Sequence, residues 1–276
     1  MNLGRSGESF QQYEGLDCAY YLRKLEIDDA LVTHSNDVLV KAMQGGKQLT
    51  RSELVGVFDQ AGINTKDLLR FGYLVICAEL DAVVVSGGRR GKQFTYALLD
   101  ERAPEAKSLP HDEALAELAR RYFTSHGPAT LKDYVWWSGL TVSEANAGLE
   151  MAKSHLMAET INDQTYWLTA STPTQSIPPT AYLLPNYDEY TVGYADRSAI
   201  YDSAHDGKGD PRGSAALNYV IVIDGQVAGM WRRTFKKGTV EIELKPFRAF
   251  SDAENQAVAQ AAQHFGEFVG LSVVLQ

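Results

Sequence analysis

Residues 83–99, VVVSGGRRGKQFTYALL, are two β-branched or aromatic runs joined by a glycine-rich loop that carries Arg89, Arg90 and Lys92. Alternating apolar runs around such a loop predict a β-hairpin. Three helical segments are predicted ahead of it. Residues 28–44 place Ala30, Leu31, Val38, Leu39, Ala42 and Met43 near helical spacing, and Gly45-Gly46 ends the run. In LTRSELVGVFDQAG, residues 49–62, Thr50 and Glu53 form a T-x-x-E capping box before an apolar run, with Gly62 as a stop. Residues 66–80 form the third, with Leu68, Leu69, Gly72, Ile76 and Leu80 broadly on one face.

Helix, helix, helix and hairpin is the order of a winged helix-turn-helix, and it recurs. HDEALAELARRYFTSHG, residues 111–127, is an amphipathic helix. TLKDYVWWSG repeats the capped short helix, with Thr130 and Asp133 lying 80 positions after Thr50 and Glu53. TVSEANAGLEMAKSH opens on a further box, Thr141 and Glu144, and residues 156–169 form a hairpin around Asn162 and Asp163. A duplicated order outweighs any one motif, because two unrelated segments would have to reproduce it by chance.

Beyond the proline-rich stretch at 169–186 the pattern changes to strands. Asp224-Gly225 and Lys237-Gly238 mark two hairpin turns, and a closing helix runs from Asp252 to Val269 behind a Ser251–Glu254 box. The expected class is α+β: tandem winged helix-turn-helix domains followed by a C-terminal β-rich, barrel-like α+β domain. The expected boundaries are a leader at 1–25, winged helices at 26–106 and 107–172, a linker at 173–185 and the β-rich domain at 186–276.

The chain has 276 residues and a net charge of −9, which argues against broad coating of a polyanion. Its positive charge is bunched. Arg89, Arg90, Lys92, Arg232, Arg233, Lys236 and Lys237 are seven of the 26 basic residues and lie in two short segments free of acids. No run is apolar enough for a membrane span, and the first residues lack the pattern of an export signal. The two cysteines, Cys18 and Cys77, have no partner at ligand spacing, so neither a disulfide framework nor structural zinc is expected. A cytoplasmic protein without metal or cofactor is the expectation.

GRRGKQFTYALLDERAP, RRYFTSHGPATLKDYVWWSGLT and LLPNYDEYTVGYADRS resemble the winged-helix DNA-binding family that includes the AlkZ-like DNA glycosylases, from about Tyr21 to the C-terminus. The resemblance implies three winged helices ahead of a β-rich domain, and characterised members excise alkylated or crosslinked bases. The family's catalytic signature is Gln-x-Gln or Gln-x-Asp in the first winged helix, where a polar pair can orient water at an exposed nucleotide. Neither tripeptide occurs in this sequence, and Gln12 with Glu14, beside Gln11, is only a distant echo. The segments present correspond to the second and third winged helices and the β-rich domain. Fold and DNA surface are therefore carried over, and catalysis is not. An apolar surface left by the absent first winged helix is expected to drive homo-oligomer formation.

On a winged helix the loop of residues 87–93 is the wing. Arg89, Arg90, Lys92 and Gln93 are then positioning contacts to the phosphates of double-stranded DNA, against the plain alternative of solvated surface charge. Arg232, Arg233, Lys236 and Lys237 form the second candidate surface. The third helices mix Lys66 and Arg70 with Asp67, and Lys153 and His155 with Glu144 and Glu150, which does not suit base reading. Trp136 and Trp137 offer stacking surfaces, but as neighbours on a short helix they are read as packing residues, at least one in the core. His126 is read as a helix C-cap. Asp188, Glu189, Asp196 and Arg197 could line a pocket for acid–base chemistry or tie domains together as ion pairs. The leading function is a DNA-binding relative of the glycosylases without their catalytic module. An active glycosylase using Asp188 or Glu189, and a protein-interaction or dimerisation module, are the alternatives.

Overall fold

The structure, a computed structural model, describes residues 18–106, 109–170, 180–201 and 219–276. Gln11, Gln12, Glu14 and residues 173–179 of the expected linker lie outside the described residues. The chain divides into two compact units, Met1–Leu118 with Gly139–Met151, and Ala119–Ser138 with Ala152–Gln276. Both helices and sheets contribute, as an α+β class requires.

In the first unit, helices α1 (Cys18–Lys24) and α2 (Asp29–Met43) precede strand β1 (Leu49–Thr50), helices α3 (Arg51–Gln60) and α4 (Leu68–Leu80), and strands β2 (Val84–Ser86) and β3 (Thr95–Leu98). The strands form an antiparallel sheet in the order β1-β3-β2. The core is built by α2 through Val32, Leu39 and Met43, by α3 through Leu54 and Phe58, and by α4 through Phe71, Leu74 and Ala78. The face of α4 expected to be buried is instead exposed at Leu68, Leu69, Ile76 and Leu80, because the helix is apolar nearly all round and the core takes the face that carries Phe71 and Leu74. The third helix begins two residues later than its periodicity predicts. It starts at Leu68, because Asp67 caps it through the N–H groups of Leu69 and Arg70, while Thr65 turns its hydroxyl to Asp59. The expected leader contributes to this core as well. It ends in α1, whose Leu22 is fully buried in this core and whose Tyr21 stacks on Tyr73 at 5.3 Å.

A short helix α5 (Leu99–Arg102) follows, and then α6 (His111–His126), α7 (Leu131–Ser138) and α8 (Val142–Ala152), with the hairpin of β4 (Met157–Ile161) and β5 (Gln164–Leu168). The element order thus repeats. Asn162 and Asp163, with φ of 50° and 61°, form the tight turn of that hairpin.

The second unit is built on a five-stranded sheet in the order β10-β9-β8-β7-β6: β6 (Ala181–Leu184), β7 (Val220–Ile223), β8 (Gln226–Lys236), β9 (Thr239–Pro246) and β10 (Ser272–Leu275). One face packs Ile221, Trp231, Val240 and Ile242 against Val258 and Ala262 of α10 (Asp252–Val269). The other face carries Val220, Val222 and Val227 beneath Tyr190, Ile200 and Phe247. Part of the expected linker is instead β6, paired antiparallel with β7. Its position at the sheet edge tolerates the proline that follows at 185.

Candidate nucleic-acid interface

The first cationic loop is held by a network that starts at the cap of α3. Thr50 and Glu53 form the expected box, and the Glu53 carboxylate also accepts from Arg90 Nη1 at 2.7 Å. The Thr50 backbone N–H, then the Arg90 guanidinium and the Thr50 hydroxyl, hold the Glu53 carboxyl at about 2, well below its usual range. Arg90 Nη2 donates to the Gln48 carbonyl at 2.5 Å, and the Gly88 N–H donates to Gln48 Oε1 at 2.7 Å. The Arg90 and Gln93 backbones close the loop on each other, with Gly91 between them at φ 61°. Arg90 is therefore a brace, and Gln93 contributes its backbone to the turn. Arg89 and Lys92 are exposed with no acid partner among the described residues. Arg89 lies 4.6 Å over the ring of Phe94.

The second cationic segment is sorted by the pleat of β8. Trp231, Arg233 and Phe235 point to the face that holds α10, where the Arg233 guanidinium lies 4.6 Å from the Tyr219 ring and 5.6 Å from that of Phe265. Arg232 and Lys236 point the other way, as alternation along a strand requires. Lys236 pairs with Glu241 at 2.5 Å. Arg232 is exposed and without an acid partner among the described residues, as is Lys237 in the turn before Gly238. Of the eight residues expected to touch phosphate, Arg89, Lys92, Arg232 and Lys237 keep their charge uncommitted.

The four residues of the candidate pocket all lie in the second unit, each with its own partner. Asp188 caps helix α9 (Glu189–Val192) through the Tyr190 N–H. Glu189 Oε1 accepts from His126 Nε2 at 2.8 Å and from the Trp137 indole N–H. Asp196 accepts from the Ser198 N–H, which lowers its pKa. It lines a recess of about 420 Å³ with Lys132, Gln164 and Thr165. Arg197 lies 5.6 Å from the Trp136 ring.

His126 is more than a helix end. Its ring stacks on Tyr122 at 4.6 Å, its Nδ1 meets Ser125 Oγ at 2.8 Å, and the Tyr194 hydroxyl donates to its carbonyl. Burial raises the Tyr122 phenol above its usual range. Tyr122 and His126 are spaced i, i+4 on α6, a spacing that places them on one face and was legible in the sequence. The tryptophans depart from the packing expectation. Trp136 is 56% exposed and Trp137 36%, each anchored by its indole N–H, to the Val192 carbonyl and to Glu189.

Asp133 has a second task that the capping pattern did not reveal. Its Oδ2 accepts from the Thr130 N–H and hydroxyl, while its Oδ1 accepts from the N–H groups of Ala195 and Asp196. Among the described residues no group of three His, Cys, Asp or Glu side chains could hold a metal ion, and no helix is long and apolar enough to cross a membrane.

Residues 11–268 match the sequence pattern of the family described as DNA glycosylase AlkZ-like. The structure of the Streptomyces sahachiroi DNA glycosylase AlkZ superposes with a TM-score of 0.70 at 18% identity, over 97% of this chain and 76% of that one. No curated protein sequence matches the chain.

Proposed function

The chain belongs to the AlkZ-like DNA glycosylase family, and from that premise we propose that it is a DNA-binding protein that grips duplex phosphates through two hairpins and does not use the family's glutamine-based chemistry. Its α2–α4 and α6–α8 segments, each with its hairpin, serve as tandem winged helices. What supports the reading is the charge left open on two hairpins of a chain with net charge −9: Arg89 and Lys92 on one, Arg232 and Lys237 on the other. Backbone contacts of this kind give weak, salt-sensitive and largely sequence-independent affinity. The chain acts in the cytoplasm, on double-stranded DNA, with no cofactor. Titration of a labelled duplex with wild type and with Arg89→Ala/Lys92→Ala tests it. The variant binds more weakly, and an unchanged affinity removes the first hairpin from the account.

A second reading, an active glycosylase, is favoured by one observation. Asp188 is committed to a cap, but Glu189 keeps its Oε2 without a partner among the described residues, beside the partly exposed Trp137 indole. A carboxylate next to an aromatic surface could position water at an extruded base. Release of free base from alkylated duplex, with protein in excess and abolished in Glu189→Gln, is the result this reading requires.

A further inference from the structure

The loop that carries Arg89 and Lys92 also holds an apolar ring out into water. Phe94 is 67% exposed, immediately before β3. Its neighbours in the fold do not let it withdraw. The Gly87 N–H donates to the Thr95 carbonyl at 2.7 Å, the Thr95 hydroxyl donates back to the Gly88 carbonyl, and Gln48 and Arg90 tie the far side of the loop to the start of α3. Thr95 itself is buried, so the chain at the root of the ring is fixed. One face of the phenyl ring is covered by the Arg89 guanidinium at 4.6 Å, Lys92 and Gln93 are exposed beside it, and the loop itself carries no acid, its nearest carboxylate, Glu53, being paired with Arg90.

A fixed apolar ring beside cations fits a particular occupant. An isolated phenyl ring gains little from phosphates, whereas a protein pocket for phenylalanine gains little from two adjacent cations. The duplex answers both needs, because its groove attracts guanidinium groups and its base steps can part to take an apolar side chain. Resting on the proposed DNA reading, we propose that Phe94 is a wedge that enters between adjacent base pairs, with Arg89 on the backbone phosphates beside it. Parting a base step costs less where the stack is already weak, at a mismatch or at a TA step. The wedge therefore gives this chain a preference for duplex with a weakened step, a selectivity that phosphate contacts cannot supply.

Three forms of the full chain test it: wild type, Phe94→Ala, and Phe94→Leu, which keeps an apolar wedge. Each is titrated into a matched duplex and into one carrying a single mismatch, both with 2-aminopurine beside the probed step. Wild type raises the 2-aminopurine fluorescence and binds the mismatched duplex about tenfold more tightly than the matched one. Phe94→Ala loses both effects while keeping its affinity for the matched duplex within about threefold and its salt dependence unchanged, since no phosphate contact is removed. Phe94→Leu retains most of the fluorescence rise. Duplex binding without a fluorescence rise in wild type, or with the same rise in Phe94→Ala, overturns the wedge and leaves the phosphate account standing. Absence of duplex binding in wild type overturns both.

Discussion

Helices α3 and α7 open on the same device 80 residues apart, yet the two capping acids have been put to different uses. Glu53 lends its spare oxygen to a side chain, the Arg90 guanidinium, in a pair where the two side chains are 43% and 54% exposed. Asp133 lends its spare oxygen to two backbone N–H groups, at 2.9 and 3.2 Å, and is only 4% exposed. The first arrangement shapes a cationic loop in water, and the second pins the 195–196 backbone where water cannot replace it. A buried acceptor serving several donors is expensive to lose, while an exposed ion pair exchanges readily with solvent.

The sharpest break of that comparison is Asp133→Ala. It strands the N–H groups of Ala195 and Asp196 and the cap of α7, and is expected to cost about 3 kcal/mol in urea unfolding, as for a lost buried hydrogen-bond network. Asp133→Asn, which keeps one carbonyl oxygen, falls between wild type and alanine. Comparable losses from Glu53→Gln would erase the distinction between the two boxes.

Acid exposes the next difference. Glu53 and Glu254 are held at about 2, the first chiefly by the Thr50 N–H and the second chiefly by Arg248, from an ordinary value of 4.5. A carboxyl depressed in the folded state contributes stability that is present above 4.5 and lost as pH falls toward 2. Calorimetry of the wild type should show the melting temperature falling across that window. In Glu53→Gln/Glu254→Gln, where glutamine can still serve the capping box, the fall should be shallower. An identical slope in the double variant would mean that other groups carry the acid sensitivity.

The smallest effect is expected at Arg90→Ala. Global stability should barely move, but hydrogen exchange at the Gly88 and Gln93 amides should quicken, because the guanidinium braces the loop in which both are bonded. Unchanged exchange would show that Gln48 and the Arg90–Gln93 backbone pair hold the loop without it.

Local signals carried much of this structure. The boxes at Thr50, Thr130, Thr141 and Ser251 are four-residue patterns, and each forms as its sequence predicts; α10 runs over the expected Asp252–Val269. The same holds for the hairpin turns at Asn162-Asp163, Asp224-Gly225 and Lys237-Gly238. What the sequence does not disclose is which charge is already engaged. Arg90 meets Glu53 across 37 positions and His126 meets Glu189 across 63, and nothing in either segment specifies the other. Arg233 could not be separated from Arg232 without knowing that Phe265 and Tyr219 flank alternate positions of β8. Strand β6 is masked by the prolines that flank it, and its partner β7 lies beyond residue 219, while α1 is not legible because Leu22 and Tyr21 find their neighbours only in the folded core.

The central claim is that open cations hold the duplex and braced ones do not. The salt dependence of duplex affinity, compared between Arg89→Ala/Lys92→Ala/Arg232→Ala/Lys237→Ala and the charge-neutral Glu53→Gln/Arg90→Ala/Lys236→Ala/Glu241→Gln, tests it most directly. The first variant should reduce the slope of log affinity against log salt by about 3 to 4, at roughly 0.9 per phosphate contact, and the second should leave it nearly unchanged. Equal slopes in the two variants would contradict the account.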